Sequence, residues 1–259
     1  MFSNLIYDDQ FKTIFFYEIK SIKVEDHSTY TCRIRSKILK DDLIYYIKSG
    51  MPPLSLVNIK FRNTEIMMYN ISVFFKNCWF HDVSIKANGN KFSHLSLINI
   101  KYMGTKAEIV VENCGKLLIK NCTFNDIKSG PEIPVISVEK VAHVYIGYCV
   151  FKNRNGSVIS AKFATFIQVK HTVFANIHLS AELETVIFAN FHLSTESETE
   201  LSPFSVSSVN SVVISKTEFL KMSGKNGGAL LLSNIKSFNI FNSSFVNNNA
   251  YDKGGSIFA

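Results

Sequence analysis

An eight-residue pattern recurs along this chain and restricts its possible folds more than any other feature. The pattern reads apolar, any residue, apolar, any residue, Asn, small, any residue, aromatic, and residues 238–245 show it most clearly. Both apolar positions are filled in all nine copies, and the last position is aromatic in eight. Those aromatic residues are Phe61, Phe80, Tyr102, Phe124, Phe151, Phe174, Phe219 and Phe245. The ninth copy, residues 186–193, keeps Asn190 but lacks the aromatic residue.

The spacing of the copies favours a solenoid. They follow one another at intervals of about 23 residues, and the alternating apolar positions predict three short strands per repeat. Propellers and sandwiches also consist of short strands, but a propeller blade needs about 40 residues and four strands. The sequence therefore predicts an all-β parallel β-helix of about nine coils over residues 49–259, with the aromatic residues stacked in its core.

The Asn of the pattern lies where the second strand of each repeat gives way to the third. Stacked about 4.8 Å apart, identical amides could bond to one another and to the backbone of the bend, and would then be inaccessible to solvent. This predicts a structural Asn ladder. Its members are Asn58, Asn77, Asn99, Asn121, Asn190 and Asn242.

Residues 1–48 fit the pattern poorly and are predicted to be an N-terminal capping segment. Phe11, Ile14, Phe15 and Ile19 follow Asp8 at helical spacing, which predicts an amphipathic helix. The same residues also fit a strand, so both alternatives stay open. At the other end, residues 254–259 align with residues 227–232, which predicts that the solenoid continues beyond Ala259 or that an open final coil docks another chain.

Two glycine-containing segments carry a resemblance to a known family. Gly227-Gly228-Ala229-Leu230 and residues 254–257, together with Phe245-x-x-Asn248, resemble the repeats of polymorphic outer-membrane proteins, although Met222 replaces the Asn in the first segment. The resemblance implies a right-handed, pectin-lyase-like β-helix. It also implies a non-catalytic, adhesin-like segment of a larger surface or secreted protein, and thus an extracellular location. The sequence itself shows no secretory signal and no transmembrane run.

Asp82 and Asp126 form an alternative catalytic pair. They follow their aromatic residues at the same distance and lie two coils apart, about 9.6 Å, close to the carboxyl separation of inverting glycosidases. A β-helix carbohydrate-active enzyme is therefore an alternative function, as is an intracellular scaffold that stacks end to end. The competing interpretation is turn formation, because Asn occupies the same position in other coils. Those residues are Asn63, Asn153, Asn176 and Asn247.

The chain is basic, with 28 Lys and Arg against 21 Asp and Glu, but only four of the bases are Arg. Lys76, Lys120 and Lys170 share an outward column that Ile98, Gly147 and Ala189 interrupt. This column could attract an anionic glycan or nucleic acid by charge, or could be an ordinary solvated face. The periodic aromatic residues are predicted to be buried, which argues against specific nucleic-acid binding.

Binding specificity is therefore expected in loops between coils. A glycan or a surface protein is the expected partner. The predicted loops are residues 83–90, 103–108, 127–134 and 194–203.

Three of the five cysteines, Cys78, Cys122 and Cys149, follow the Asn position and are predicted to be small inward fillers. Cys122 and Cys149 lie on neighbouring coils, but packing is favoured over a disulfide. No Cys-x-x-Cys pair or clustered His accompanies them, so neither a metal site nor a cofactor is predicted.

Overall fold

The computed structural model describes strand positions within residues 1–48 and, from residue 53 onward, all residues except 59, 106, 129–132 and 180–201, without the side chains of residues 54 and 64. The described residues form twenty-five strands and no helix. The first thirteen are Ser3–Asp8 (β1), Thr13–Val24 (β2), His27–Cys32 (β3), Leu43–Ile47 (β4), Leu54–Val57 (β5), Lys60–Tyr69 (β6), Val73–Lys76 (β7), Trp79–Asn88 (β8), His94–Ile98 (β9), Lys101–Gly104 (β10), Glu108–Glu112 (β11), Lys116–Lys120 (β12) and Thr123–Ile127 (β13). The others are Ile136–Glu139 (β14), His143–Gly147 (β15), Val150–Asn155 (β16), Ile159–Lys162 (β17), Phe166–Lys170 (β18), Val173–His178 (β19), Phe204–Ser215 (β20), Glu218–Asn226 (β21), Leu230–Phe241 (β22), Ser244–Val246 (β23), Asn249–Lys253 (β24) and Ile257–Phe258 (β25).

The strands stack in parallel as three sheets that wind into a right-handed β-solenoid, which confirms the predicted fold class. The first sheet contains β5, β7, β9, β12, β15, β18 and the second halves of β20 and β22. The second contains β10, β13, β16, β19, β23 and the first halves of β6, β8 and β21. The third contains β4, β11, β14, β17, β25, the second halves of β6 and β8, and the first halves of β20 and β22.

Most corners between two sheets contain one residue in the left-handed backbone region, which Asn and Asp adopt more readily than other non-glycine residues. The φ angles of these residues lie between 47° and 59°. The first corner, after the first sheet, has Asn58, Asn77, Asn99, Asn121, Tyr148, His171, Lys216 and Asn242. The second has Asn63, Asp82, Asp126, Asn153, Asn176, Lys221 and Asn247. The third has Asn70, Asn113, Lys140, Phe163, Ser208 and Asn234.

The eight aromatic residues of the pattern all pack inward as one continuous column. From Phe124 onward the rings are nearly parallel, with centroids 4.5 Å apart for Phe124 and Phe151 and 4.9 Å apart for Phe151 and Phe174. Phe61, Phe80 and Tyr102 meet edge to face instead. The distance between neighbouring parallel strands, about 4.8 Å, sets the distance between successive rings. The ring stack is therefore a direct result of parallel pairing.

The number of coils is lower than predicted: the solenoid has about seven turns at a spacing of about 24 residues. Phe174 and Phe219 are direct neighbours, with ring centroids 5.1 Å apart, and β19 pairs with β21 in register. No coil therefore lies between them. The predicted ninth copy at 186–193, with Asn190, lies outside the described residues.

The N-terminal segment contains strands where a helix was one prediction. Strands β1 and β2 pair antiparallel, as do β2 and β3, and β2 covers most of the residues that fit helical spacing. The strand alternative for this segment is therefore the correct one. Parallel pairing also reaches into this segment, because β2 pairs with β4, β3 with β5 and β4 with β6.

The prediction of a loop at residues 83–90 was wrong. Residues 79–88 form one uninterrupted strand, β8, that crosses from the second sheet to the third through the left-handed residue Asp82. A corner of one residue leaves no room for a loop. Of the other predicted loops, residues 129–132 and 194–201 lie outside the described part of the chain.

In the glycine-containing segments, the Asn248 side chain forms hydrogen bonds to the neighbouring coil. Asn248 accepts a hydrogen bond from the Met222 amide at 3.0 Å and donates one to the Phe219 carbonyl at 3.0 Å. Gly227 has a φ of 64° and forms a tight turn before the buried Ala229. The amide of Asn248 thus satisfies backbone groups of the coil before it.

The residue that directly follows the first corner points inward, and these small side chains form one column, as the sequence predicted. Cys78, Cys122 and Cys149 are buried free thiols in this column. Cys122 and Cys149 donate to the carbonyls of Lys120 and Gly147 at 3.2 Å each. Burial raises the pKa of the Cys122 thiol above its usual range, which favours the neutral form.

Arg154 is 3% exposed and fastens neighbouring coils through backbone carbonyls. Its guanidinium donates to Ile127 at 3.2 Å, Ile133 at 2.6 Å and Ser157 at 3.3 Å. Burial lowers the pKa of Arg154 to about 10, so the side chain still carries its charge at neutral pH. A planar guanidinium is suited to this role because its donors point to several acceptors at once.

Candidate binding face

The three sheets differ in charge. No Asp or Glu occurs in the described strands of the first sheet or at the first corner. The outward side of the third sheet carries Glu65, Glu108, Glu112 and Glu139. Carboxylates are therefore segregated away from the first sheet, and its outward surface has a positive potential that acidic neighbours do not cancel. We call the outward side chains of the first sheet and the first corner the cationic face.

Lysines recur on every second coil of the cationic face. Lys76, Lys120 and Lys170 occupy one column, and Ile98 and Gly147 occupy the coils between them. Lys76 and Lys120 are exposed and Lys170 is half-buried. Two strand spacings separate successive lysines by about 9.6 Å. The next residue in the column is Ser215 and not Ala189, because β18 pairs directly with β20.

A tyrosine ring fills the gap between two of these lysines. Tyr145 points outward from β15, and its ring lies over the backbone of Gly147, where an added Cβ would come within 2.8 Å of the ring. Gly147 has no left-handed φ, so its backbone conformation does not require glycine. The lack of a side chain instead leaves space for the ring. Desolvation, followed by the nearby Tyr148 and Cys149, raises the pKa of Tyr145 and keeps its hydroxyl protonated.

The first corner carries a second aromatic group beside Tyr145. Tyr148 is 47% exposed and stacks on His171 of the next coil, with centroids 4.7 Å apart and planes within 13°. The Lys120 ammonium lies 5.9 Å from the centre of the Tyr148 ring. Desolvation, with Lys216 and Lys170 nearby, lowers the pKa of His171, so this imidazole is neutral at physiological pH. The corner combines flat aromatic surface with cationic groups.

Asp82 and Asp126 both lie at the second corner, two coils apart, as predicted. The Asp82 carboxylate accepts hydrogen bonds from the Thr105 amide and, at 2.9 Å, from its hydroxyl, and lies 2.9 Å from His81 Nδ1. The Asp126 carboxylate accepts from Asn125 at 2.6 Å and from Asn153 at 3.2 Å. Each carboxylate is thus engaged by its own corner and by the coil after it, which is the geometry of a turn residue.

The predicted Asn ladder lies on the surface and not in the interior. Its described members Asn58, Asn77, Asn99, Asn121 and Asn242 are all exposed, because a left-handed residue at a corner directs its side chain away from the core. The side-chain amide of Asn99 donates a hydrogen bond to Asn77 Oδ1 at 2.9 Å. The backbone of the corner is satisfied separately, since the Asn99 amide donates to the Lys120 carbonyl of the next coil at 3.0 Å.

Similar bonds occur at the other two corners. Asn176 donates to Asn153 at the second corner, and Asn113 donates to Asn88 near the third, each at 3.2 Å. No residue of the third corner was predicted from the sequence. An Asn three or four residues before the apolar pattern, as at Asn70 and Asn113, was the signal for it.

The outward aromatic residues were not predicted either, because periodic aromatic side chains were all assigned to the core. Tyr145 and Tyr148 fall outside that period: Tyr145 is between the two apolar positions and Tyr148 is at the corner. The alternation of a strand places a residue between two inward positions on the outward face. The strand pattern alone could have identified Tyr145.

Within the described part of the chain, no three His, Cys, Asp or Glu side chains group closely enough to hold a metal ion. The same residues include no helix with the length and hydropathy needed to cross a membrane. Comparison with protein-family models, with curated proteins and with solved structures finds no match to this chain.

Proposed function

We propose that this chain is a non-catalytic β-helix segment of a larger surface or secreted protein, which binds its ligand on the side of the rod. The observation that carries this proposal is the absence of carboxylates from the described first sheet, where lysines and exposed aromatic side chains lie together. A solvated face with no binding role has no reason to exclude acids, and mixed charges are usual on such a surface. The resemblance of residues 219–230 and 245–257 to adhesin-like repeats agrees with this proposal.

The proposed binding region is a sheet rather than the loops between coils. Parallel stacking holds the outward side chains of the first sheet at fixed intervals. A surface on a rigid scaffold loses little conformational entropy when it binds. Regular spacing suits a ligand that itself repeats.

The test compares retention with turnover. The chain is incubated with a panel of neutral and acidic polysaccharides, and bound ligand and polymer length are both measured. We expect retention without shortening, and loss of retention in Lys76→Glu/Lys120→Glu. The matched control is Lys152→Glu/Lys162→Glu, which reverses two exposed lysines on the other two sheets. Shortening of any polymer, or equal loss in both double variants, would refute the proposal.

A further inference from the structure

The spacing of charge on the cationic face indicates which polyanion fits it. One lysine per two coils gives a charge about every 9.6 Å, whereas phosphates follow one another about every 3.4 Å along a strand of duplex DNA. The described strands of the first sheet contain no arginine, although arginine is the residue that best matches phosphate geometry. The column therefore suits a polymer whose acidic groups are separated by uncharged units, as in a polysaccharide with one acid per two sugars.

Tyr145 offers an aromatic surface on which an uncharged sugar between two acidic groups can stack. Its ring lies on the backbone of Gly147, between Lys120 and Lys170 in the same column. The face of an aromatic ring is electron-rich, and the C–H groups of a sugar carry a slight positive charge, so a pyranose stacks on such a surface. The Tyr148 and His171 pair borders this platform at the first corner.

We propose that Lys120, Tyr145 and Lys170 form a binding site for a linear acidic polysaccharide that runs parallel to the solenoid axis. The lysines bind carboxylate or sulfate groups two coils apart, and a sugar between them stacks on Tyr145. Gly147 makes the site possible because any side chain there would displace the ring. This proposal rests on the proposed function, since it names the ligand class of the same face.

The experiment uses three polymers with one backbone, namely dextran, carboxymethyl dextran and dextran sulfate, and a single-stranded oligonucleotide of equal charge. Binding to the full chain is measured at fixed ionic strength. We expect no binding of dextran, and binding of one or both acidic dextrans, which distinguishes carboxylate from sulfate recognition. Tighter binding of the oligonucleotide than of either acidic dextran would overturn the proposal in favour of a nucleic-acid ligand.

Two variants separate this site from general charge attraction. Lys120→Gln/Lys170→Gln should weaken binding of the acidic dextrans about tenfold, while the matched control Lys152→Gln/Lys162→Gln, with the same net charge, should change it less than about twofold. Tyr145→Ala should weaken it roughly fivefold without altering the dependence on salt. Equal losses in the two double variants, or an unchanged affinity in Tyr145→Ala, would overturn the site.

The outcomes also distinguish this proposal from the proposed function. If the acidic dextrans bind and only the site variants fail to discriminate, lateral binding survives and the assigned site does not. If polymer is cleaved, or if no polysaccharide of the neutral and acidic panel is retained, the proposed function itself fails. If only the acidic dextrans are not retained, the assigned site fails and the proposed function stands. Circular dichroism and urea unfolding of each variant establish that a loss of binding does not come from loss of the fold.

Discussion

Replacing Phe163 by Asn should stabilise the protein even though it removes a large aromatic side chain. Phe163 is a third-corner residue with a φ of 55°, and its side chain is 55% exposed. The left-handed region costs an ordinary L-residue about 1–2 kcal/mol, and Asn tolerates it better. The ring is nearly half-buried and its loss costs roughly 0.7–1.4 kcal/mol, so we expect a net gain of up to about 1 kcal/mol in the free energy of unfolding.

Because of the neighbours of Phe163, the stability of the Asn variant reports on backbone conformation alone. The residues above and below it at the third corner are Lys140 and Ser208, so a new Asn finds no Asn neighbour with which to form an amide ladder. Its own amide already donates to the Ser207 carbonyl at 3.2 Å and would continue to do so. For a chain of this size, about 1 kcal/mol corresponds to a rise of roughly 2–4 °C in Tm.

Urea unfolding followed by circular dichroism tests the prediction with two control variants. Phe163→Ala removes the ring but keeps a Cβ in the left-handed region, so it should give none of the gain. Asn113→Phe makes the reverse change at the same corner and also breaks the 3.2 Å bond to Asn88, so it should cost about 2 kcal/mol. If Ala stabilises as much as Asn, exposure of the ring and not backbone conformation is responsible, and the reasoning fails.

Three further predictions concern the core, a buried charge and pH. Phe151→Ala removes a ring stacked on both sides and should cost about 3–5 kcal/mol in urea unfolding, whereas Tyr148→Ala on the same coil should change stability by less than about 0.5 kcal/mol. Arg154→Lys keeps the charge but reaches fewer carbonyls, so it should cost about 2 kcal/mol, and an unchanged unfolding midpoint would contradict the bonding described. Since the pKa of His171 lies below its ordinary value of 6.5, binding of dextran sulfate should strengthen only as pH falls below that value; a constant affinity from about pH 7.5 to about pH 5.5, or an equal increase in His171→Gln, would contradict this.

The aromatic core could be predicted from sequence because its cause is visible there. Phe124, Phe151 and Phe174 follow alternating apolar residues at a near-constant interval, and parallel stacking then places each ring over the next. The ninth copy shows the limit of that reasoning. Alternation alone is satisfied by many strand-like segments; β19 pairs directly with β21, and the sequence copy between them is the one without the aromatic residue.

The position of the Asn side chains could not be predicted from residue type. An Asn is equally suited to a buried amide ladder and to a left-handed corner, and the difference depends on the sign of φ. Tyr148, His171 and Lys216 share the first corner with the Asn residues, which a buried ladder would not allow. Their occurrence in the same column was the available indication that the corner selects a backbone conformation and leaves the side chain in solvent.

The same distinction decides between the turn and catalytic interpretations of the two aspartates. Asn keeps the left-handed corner and the acceptor oxygen that Asp82 uses toward Thr105, so Asp82→Asn/Asp126→Asn should unfold within about 1 kcal/mol of the native chain. Binding of acidic dextran should also be unchanged, because both residues lie at the second corner and not on the cationic face. Glycosidase chemistry needs two carboxyl groups, one of them to exchange a proton, and an amide cannot do this. If the native chain releases reducing ends from a polysaccharide and the double variant does not, the pair is catalytic, and the second corner serves chemistry as well as the turn.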